Sequence, residues 1–267
     1  MRKLRPVIKT HGGKYYLANW IIENFPEDYQ QMTYCEPYLG GGSVFLNKDP
    51  SKEEIINDND KKIASIFKAL RDEPGEIVGR IKRTKYKEET FEKALKTNKG
   101  TFEDYIEEAI NEIILRRMSR GGLKTAFSWS KRLRGGQPGD LNAWETYKEQ
   151  LSYLAERIAN VHVFCENADE IIKVWDGPNT LMYLDPPYLP ITRSTPNVYE
   201  NEMSMDDHIH LSEIINNTKS YIILSGYPSA LYNRLYKDWN CLKKSMPNHA
   251  SQKSKKDRKI ECIWLNF

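Results

Sequence analysis

Tyr34-Cys35-Glu36-Pro37-Tyr38-Leu39-Gly40-Gly41-Gly42-Ser43 is the stretch on which the fold turns. Residues 33–36 form a short apolar, β-branched and aromatic run, the signature of a strand. That run passes through Pro37 into three consecutive glycines. Glycine lets the backbone turn sharply and come close to a ligand; a plain tight connection has the same composition. In open α/β sheets ligands lie beyond the carboxyl ends of strands, so a site is expected at this turn if the fold is α/β. A short helix is expected after it, over 44–47.

Further along the chain, runs at 54–58, 161–165, 180–185, 220–225 and 260–265 repeat the strand pattern. Helical periodicity is predicted over 15–25, where Pro26 stops it, and over 61–71 and 206–217. Ser204 with Asp207 three residues on makes a capping-box pattern for the last. Strands alternating with helices argue for an α/β fold with a mostly parallel sheet. The middle of the chain differs. Residues 72–160 contain no convincing strand, but Phe102, Tyr105, Ile106, Ala109, Ile110, Ile113 and Ile114 recur at helical spacing. So do Trp144, Tyr147, Leu151, Leu154 and Ile158. Between them lies SRGGLKTAFSWSKRLRGGQPGDLN (119–142), a long stretch of the kind that is either functional or disordered. Residues 72–160 are therefore expected to be a helical domain inserted into a domain made of 1–71 and 161–267.

Two further segments carry chemistry. Asp58 ends its predicted strand 18 residues after Gly40, the distance at which an acid commonly bonds ribose hydroxyls. Val44 and Phe45 break the dinucleotide fingerprint, which counts against a dinucleotide cofactor. Asp185-Pro186-Pro187-Tyr188 follows the strand at 180–184. Neither proline has an amide hydrogen, so the carbonyls and the Asp185 carboxylate make an acceptor-only site, suited to a substrate amine. Tyr188 offers a flat face for stacking. Taken alone, the motif also reads as a rigid strand-to-loop turn.

Composition sets outer bounds. A 39% hydrophobic, 29% charged chain of 267 residues is folded, not disordered, and a net charge of +3 names no partner. The charge is uneven, however. Arg116, Arg117, Arg120, Lys124, Lys131, Arg132 and Arg134 fall in a stretch without acids. A second basic run comprises Lys253, Lys255, Lys256, Arg258 and Lys259. Both are candidate phosphate contacts, and equally solvated faces. Cys35, Cys165, Cys241 and Cys262 are too widely spaced for a zinc site; Cys35, Cys165 and Cys262 read as buried free thiols in a reducing compartment. No run reaches membrane-spanning length, and the basic N-terminus lacks the apolar core of a secretory signal. An intracellular, cytoplasmic protein is expected.

Taken together, these segments resemble the DNA adenine methylase (Dam-like) family of class I methyltransferases. Lys9-Thr10-His11-Gly12-Gly13-Lys14 matches the family's opening motif, departing at Thr10 and His11. Glu36-Pro37-Tyr38-Leu39-Gly40-Gly41-Gly42 matches the second motif with Tyr38 in place of phenylalanine, and Asn57-Asp58 the acidic strand end. Asp185 to Tyr188 matches without change. Residues 199–203, Asp207-His208, Ser225-Gly226-Tyr227 and 261–266 also look like the family. The resemblance implies a Rossmann-like class I methyltransferase sheet with an inserted, mostly helical target-recognition domain. It implies S-adenosylmethionine as cofactor, with Thr10, Lys14, Glu36, Pro37, Tyr38, Gly40, Gly42, Asp58, Asp169 and Asp185 around it. Asp169 also reads as a plain helix cap. Asp185, Pro186, Pro187 and Tyr188 would be catalytic, and double-stranded DNA the partner, held by the basic residues of the central segment. No metal and no membrane are implied, and a monomer or weak dimer is expected. Rival readings are methylation of a cytosine amine, an RNA adenine or a protein amide, a DNA-binding regulator without catalysis, and an unrelated nucleotide-binding protein.

Overall fold

The computed structural model describes residues 3–10, 12–98, 100, 102, 104–192, 202–247 and 258–267. Its elements, in chain order, begin with α1 (Ala18–Ile22), β1 (Thr33–Glu36), β2 (Glu53–Asn57), α2 (Lys61–Asp72), α3 (Pro74–Arg83), α4 (Glu88–Thr97) and α5 (Tyr105–Met118). The hairpin β3 (Leu133–Arg134) and β4 (Gln137–Pro138) follows, then α6 (Gly139–Ile158), β5 (His162–Phe164), α7 (Ala168–Val174) and β6 (Thr180–Leu184). The chain ends with α8 (Met205–Ile215), β7 (Tyr221–Gly226), α9 (Ala230–Leu235), β8 (Asn240–Pro247) and β9 (Arg258–Leu265). They fall into two compact units. One comprises Met1–Asn24, Leu39–Asp49 and Asp58–Cys165; the other Phe25–Tyr38, Pro50–Asn57 and Glu166–Phe267.

The second unit is built on strands in the order β2-β1-β6-β7-β9-β8. Pairings from β2 to β7 are parallel, while β9 runs antiparallel to both β7 and β8. Every residue of β6 is buried, as expected of a central strand covered on both faces. Each such apolar side chain contributes roughly 1.5–3 kcal/mol. The α/β reading with a mostly parallel sheet holds. The capping box also holds: Asp207 N donates to Ser204 Oγ and Ser204 N to Asp207 Oδ2. Strand β8 was not anticipated. Its exposed and half-exposed residues alternate weakly, and it carries Lys243 and Lys244, as an edge strand does.

The first unit is helical. Ile63, Ile66, Phe67 and Leu70 of α2 are buried, as are Ala109, Ile110, Ile113 and Ile114 of α5 and the predicted stripe of α6, and α2 packs on α5; at the start of the predicted α5 stripe Phe102 and Ile106 are half-buried and Tyr105 is exposed. The helices of the central segment thus share one compact unit with α2 and the N-terminal residues. Three expectations need correction. The helix predicted over 15–25 is only α1, because the Asn24 amide bonds the Trp20 carbonyl at 2.7 Å and closes it early. Residues 44–47 form a hydrogen-bonded turn, not a helix. The central segment also contains the β3–β4 hairpin, whose connecting Gly135 and Gly136 have φ of 58° and 79°, the conformation of a tight two-residue turn.

All four cysteines are free; Cys35 and Cys262 are buried and Cys241 is intermediate. Cys165 is exposed, against expectation, because β5 stops at Phe164. Among the described residues no helix is long and apolar enough to cross a membrane, and no group of three or more His, Cys, Asp or Glu is placed to hold a metal.

Candidate active site

In the second unit β1, β6 and β7 are parallel, so their carboxyl ends share one edge. Glu36, Asp185 and Ser225-Gly226 stand there. Glu36 is buried and accepts a 2.6 Å hydrogen bond from the Tyr34 hydroxyl. Tyr183 and Ser225 hydroxyls lie 2.8 Å apart, and Asp185, which follows β6, is half-buried. Burial, then the charge of Asp185, pushes the Tyr183 phenol well above its usual range, so it stays protonated. Pro186 is buried, and the Tyr188 ring is held at two points. Its hydroxyl donates to Glu261 Oε2 at 3.0 Å, and Tyr227 meets it edge-on with centroids 4.7 Å apart. Lys259 Nζ covers the Tyr227 ring at 4.9 Å.

Asn57, fully buried, clamps two other loops of this unit. Its amide donates to the Pro37 and Glu166 carbonyls, and its oxygen accepts from Glu166 N. That fixes the approach to α7, which Asn167 caps by accepting from Asp169 N. Asp169 is therefore not the cap; its carboxylate lies 3.2 Å from His210 Nε2. The Tyr38 hydroxyl is pushed far up by burial and by the negative charge of Asp169. Of these residues, Asn57 stands out in the sequence only as a motif position, and Glu261 and Tyr227 only within family-like segments. No local pattern announces their clamping roles.

The first unit gathers the N-terminal motif and the glycine turn. Gly40 and Gly42 have φ of 52° and 69°, so both need glycine. A Cβ on Gly13 or Gly40 would stand 3.3 or 3.6 Å from Thr10 Oγ1, so Thr10 packs against both glycine positions. Lys14 is buried and its ammonium donates to the Gly12 carbonyl at 2.8 Å. Asp58 Oδ2 accepts from Gly40 N at 2.7 Å and Oδ1 from Asp60 N at 2.9 Å. Burial raises its pKa to about 6, with those two amides and Arg116 pulling the other way. Each carboxylate oxygen retains a lone pair for a further donor.

The basic residues divide. Arg116 and Arg117 do not face solvent, as phosphate contacts must. Arg116 pairs with Asp60 and Glu112 inside the unit. Arg117 donates to the Val7 and Pro6 carbonyls and lies 3.9 Å over the Tyr147 ring. Lys124 is engaged by Glu112 at 3.0 Å. Arg120, Lys131, Arg132 and Arg134 are exposed, the last three on or beside the hairpin. Beneath the hairpin Tyr86, Phe91, Phe127, Trp129 and Trp144 form a contiguous aromatic cluster. The Tyr86 hydroxyl donates to the Ser128 carbonyl, so the long central stretch is ordered by its own packing. His11, residues 199–201 and Lys253, Lys255 and Lys256 of the second basic run lie outside the described residues.

A family description, the D12 class N6 adenine-specific DNA methyltransferase, matches residues 11–250. The chain is 28% identical over 253 residues to a DNA adenine methylase of Salmonella typhi, covering 88% of this chain and 85% of that one. It is 25% identical over 278 residues to the Type II methyltransferase M1.LlaDCHI of Lactococcus lactis subsp. cremoris, covering 99% and 96%. A DNA adenine methylase of Escherichia coli is 28% identical over 229 residues, covering 80% and 76%.

Proposed function

The chain belongs to the D12 class of N6 adenine-specific DNA methyltransferases, and on that basis we propose that it transfers a methyl group from S-adenosylmethionine to the exocyclic amine of an adenine flipped out of duplex DNA. The observation that carries this reading is the Asp185-Pro186-Pro187-Tyr188 corner at the carboxyl end of β6, with its tyrosine ring fixed in place. Cofactor residues of the right chemistry are present. Asp58 keeps acceptor capacity for ribose hydroxyls, Lys14 supplies a cation for a carboxylate, and Gly40 and Gly42 leave their positions without side chains. When bound, S-adenosylmethionine supplies a methyl group made electrophilic by its sulfonium.

The protein's task is the nucleophile. An adenine amine is weak because its lone pair is delocalised into the ring. Asp185 and the Pro186 carbonyl accept the two amine hydrogens, which favours a pyramidal nitrogen with a localised lone pair. The positive charge that develops there is stabilised by the same carboxylate. Tyr188 stacks on the extruded base, at an unpairing cost of a few kcal/mol. The helices of the central segment and the hairpin are the target-recognition part, with Arg120, Lys131, Arg132 and Arg134 holding DNA. Tritium transfer to DNA, followed by digestion to nucleosides, tests the whole reading. N6-methyladenine is the expected product; N4-methylcytosine, or label in RNA alone, overturns it.

Two further expectations follow. Ribose hydroxyls donate to ionised Asp58, whose pKa is raised to about 6. Cofactor affinity therefore falls as pH drops through 6, and binding releases protons there; a flat affinity profile from calorimetry would remove Asp58 from the ribose. Second, replacing Lys131, Arg132 and Arg134 together by alanine reduces the slope of log K for DNA against log salt by about 2 to 3. An unchanged slope means the hairpin does not touch phosphate.

A further inference from the structure

The first unit holds a chain of buried charge that the reaction itself does not use. Glu112 and Arg116 lie one turn apart on α5 and are 1% and 8% exposed. Arg116 Nε meets Glu112 Oε1 at 2.5 Å and Arg116 Nη2 meets Asp60 Oδ2 at 2.8 Å. Lys124 Nζ meets the same Glu112 oxygen at 3.0 Å. Asp60 has two other duties: its Oδ1 caps α2 by accepting from Lys62 N, and its own N–H donates to Asp58 Oδ1. From Lys124 inward the chain runs through Glu112, Arg116 and Asp60 to Asp58, whose other oxygen holds Gly40 N.

We propose that Arg116 and Glu112 are positioning residues for the cofactor: through Asp60 they fix the Asp58-Asn59-Asp60 turn and so hold the Asp58 carboxylate for the ribose hydroxyls. The inference rests on the reading of Asp58 as the ribose ligand. Two physical arguments support it. Buried ion pairs are poor stabilisers, and apolar replacements of similar volume are often as stable or more so, so stability alone does not account for this chain. In addition, Lys124 reaches Glu112 from a backbone φ of 61°, the one non-glycine residue in the left-handed region among those described. That conformation is unfavourable for an L residue, and it persists only where the surroundings impose it.

The charged groups facing Asp58 are Asp60 and Arg116, with Glu112 and Lys124 behind Arg116. Removing the Arg116 cation leaves Asp60 uncompensated beside Asp58, so Asp58 becomes harder to ionise. The test is calorimetric titration of S-adenosylmethionine into the full chain from about pH 5 to about pH 8, a window spanning the raised carboxyl. For Arg116→Gln, the pH midpoint of binding moves up by about one unit, and affinity at neutral pH falls about tenfold, of which lost ionisation accounts for about twofold and release of the Asp58 turn for the rest. KM for the cofactor rises by the same factor, while kcat at saturating cofactor holds. Arg116→Lys restores most of the affinity. If the single variant does not fold, Arg116→Met combined with Glu112→Leu removes both charges and keeps the packing. That double variant leaves Asp60 and Lys124 without their partners, so it is expected to melt below the native chain while remaining folded, and to show the same loss of affinity and the same shifted midpoint. Native affinity and midpoint in a folded variant of either kind overturn the inference. Asp58→Asn separates this from the underlying reading: if it binds S-adenosylmethionine normally, the ribose role fails. If it loses binding while the Arg116 variants do not, only the positioning role fails.

Discussion

Asp185→Ala is expected to lower methyl transfer to DNA by about 10³-fold or more while leaving the affinity for DNA unchanged. Asp185 stands at the carboxyl end of a strand whose five preceding residues are all buried, so its backbone is among the most constrained in the second unit. The two following prolines remove local amide donors that would otherwise compete for its oxygens. Asp185 is half-buried, and the Tyr183 phenol on which its charge acts is held protonated and paired with Ser225. A carboxylate held at this corner can accept from an amine. Its loss removes an interaction that strengthens only as charge develops on nitrogen, so kcat falls and KM for DNA does not. Single-turnover transfer and a binding isotherm on the same oligonucleotide separate the two quantities. Residual activity within tenfold of the native chain would show that the amine is activated by something else.

How much of this was legible beforehand depends on the kind of signal. β6 is a continuous apolar run ended by a motif with two prolines, and such a run reads correctly because burial on both faces leaves no polar interruption. The Ser204–Asp207 capping box is equally local, and it too stands as read. Arg116 and Arg117 were misread for a physical reason. Within one sequence a buried guanidinium and a phosphate-binding one look alike, and what distinguishes them here is Glu112 and Asp60 in one case and the Pro6 and Val7 carbonyls in the other, four to 111 positions away. The hairpin was missed because strands of two residues show no periodicity, although Gly135-Gly136 is a turn signal in its own right. The glycine turn allowed both a ligand approach and a plain connection, and packing against the chain itself was in neither reading. Gly40 and Gly42 need positive φ, whereas Gly41 is a close-packing position, since a Cβ there would meet the Ile8 carbonyl at 2.8 Å.

That last contact leads to the second large effect. Residues 6–10 run between two glycines of the first unit. On one side Val7 N donates to the Gly41 carbonyl at 3.1 Å. On the other a Cβ on Gly122 would fall 2.1 Å from the Lys9 carbonyl oxygen and 2.8 Å from its carbon. Lys9 itself is tied down, its ammonium donating to the Arg117 and Ser119 carbonyls at 2.7 and 3.3 Å, so the backbone it belongs to has little freedom to retreat. Burial lowers the Lys9 pKa to about 8, with the Arg117 charge adding to the effect. Gly122→Ala therefore meets two costs at once. A residue at φ of 78° is in the left-handed region, about 1–2 kcal/mol, and the overlap with main chain adds about 1–3 kcal/mol of overpacking. The sum, roughly 2–5 kcal/mol, predicts a melting temperature lower by about 4–20 °C for a chain of this size. On the proposed cofactor reading, affinity for S-adenosylmethionine falls with it, because Thr10 ends the displaced segment and Lys14 lies just beyond it. Gly121→Ala is the internal control. Its φ is 62°, but the nearest atom to its Cβ is the Leu123 side chain at 4.0 Å, so it bears only the conformational cost. Equal losses in the two variants would mean that the grip on Lys9 contributes nothing; a difference of about 1–3 kcal/mol would isolate the close approach as its source.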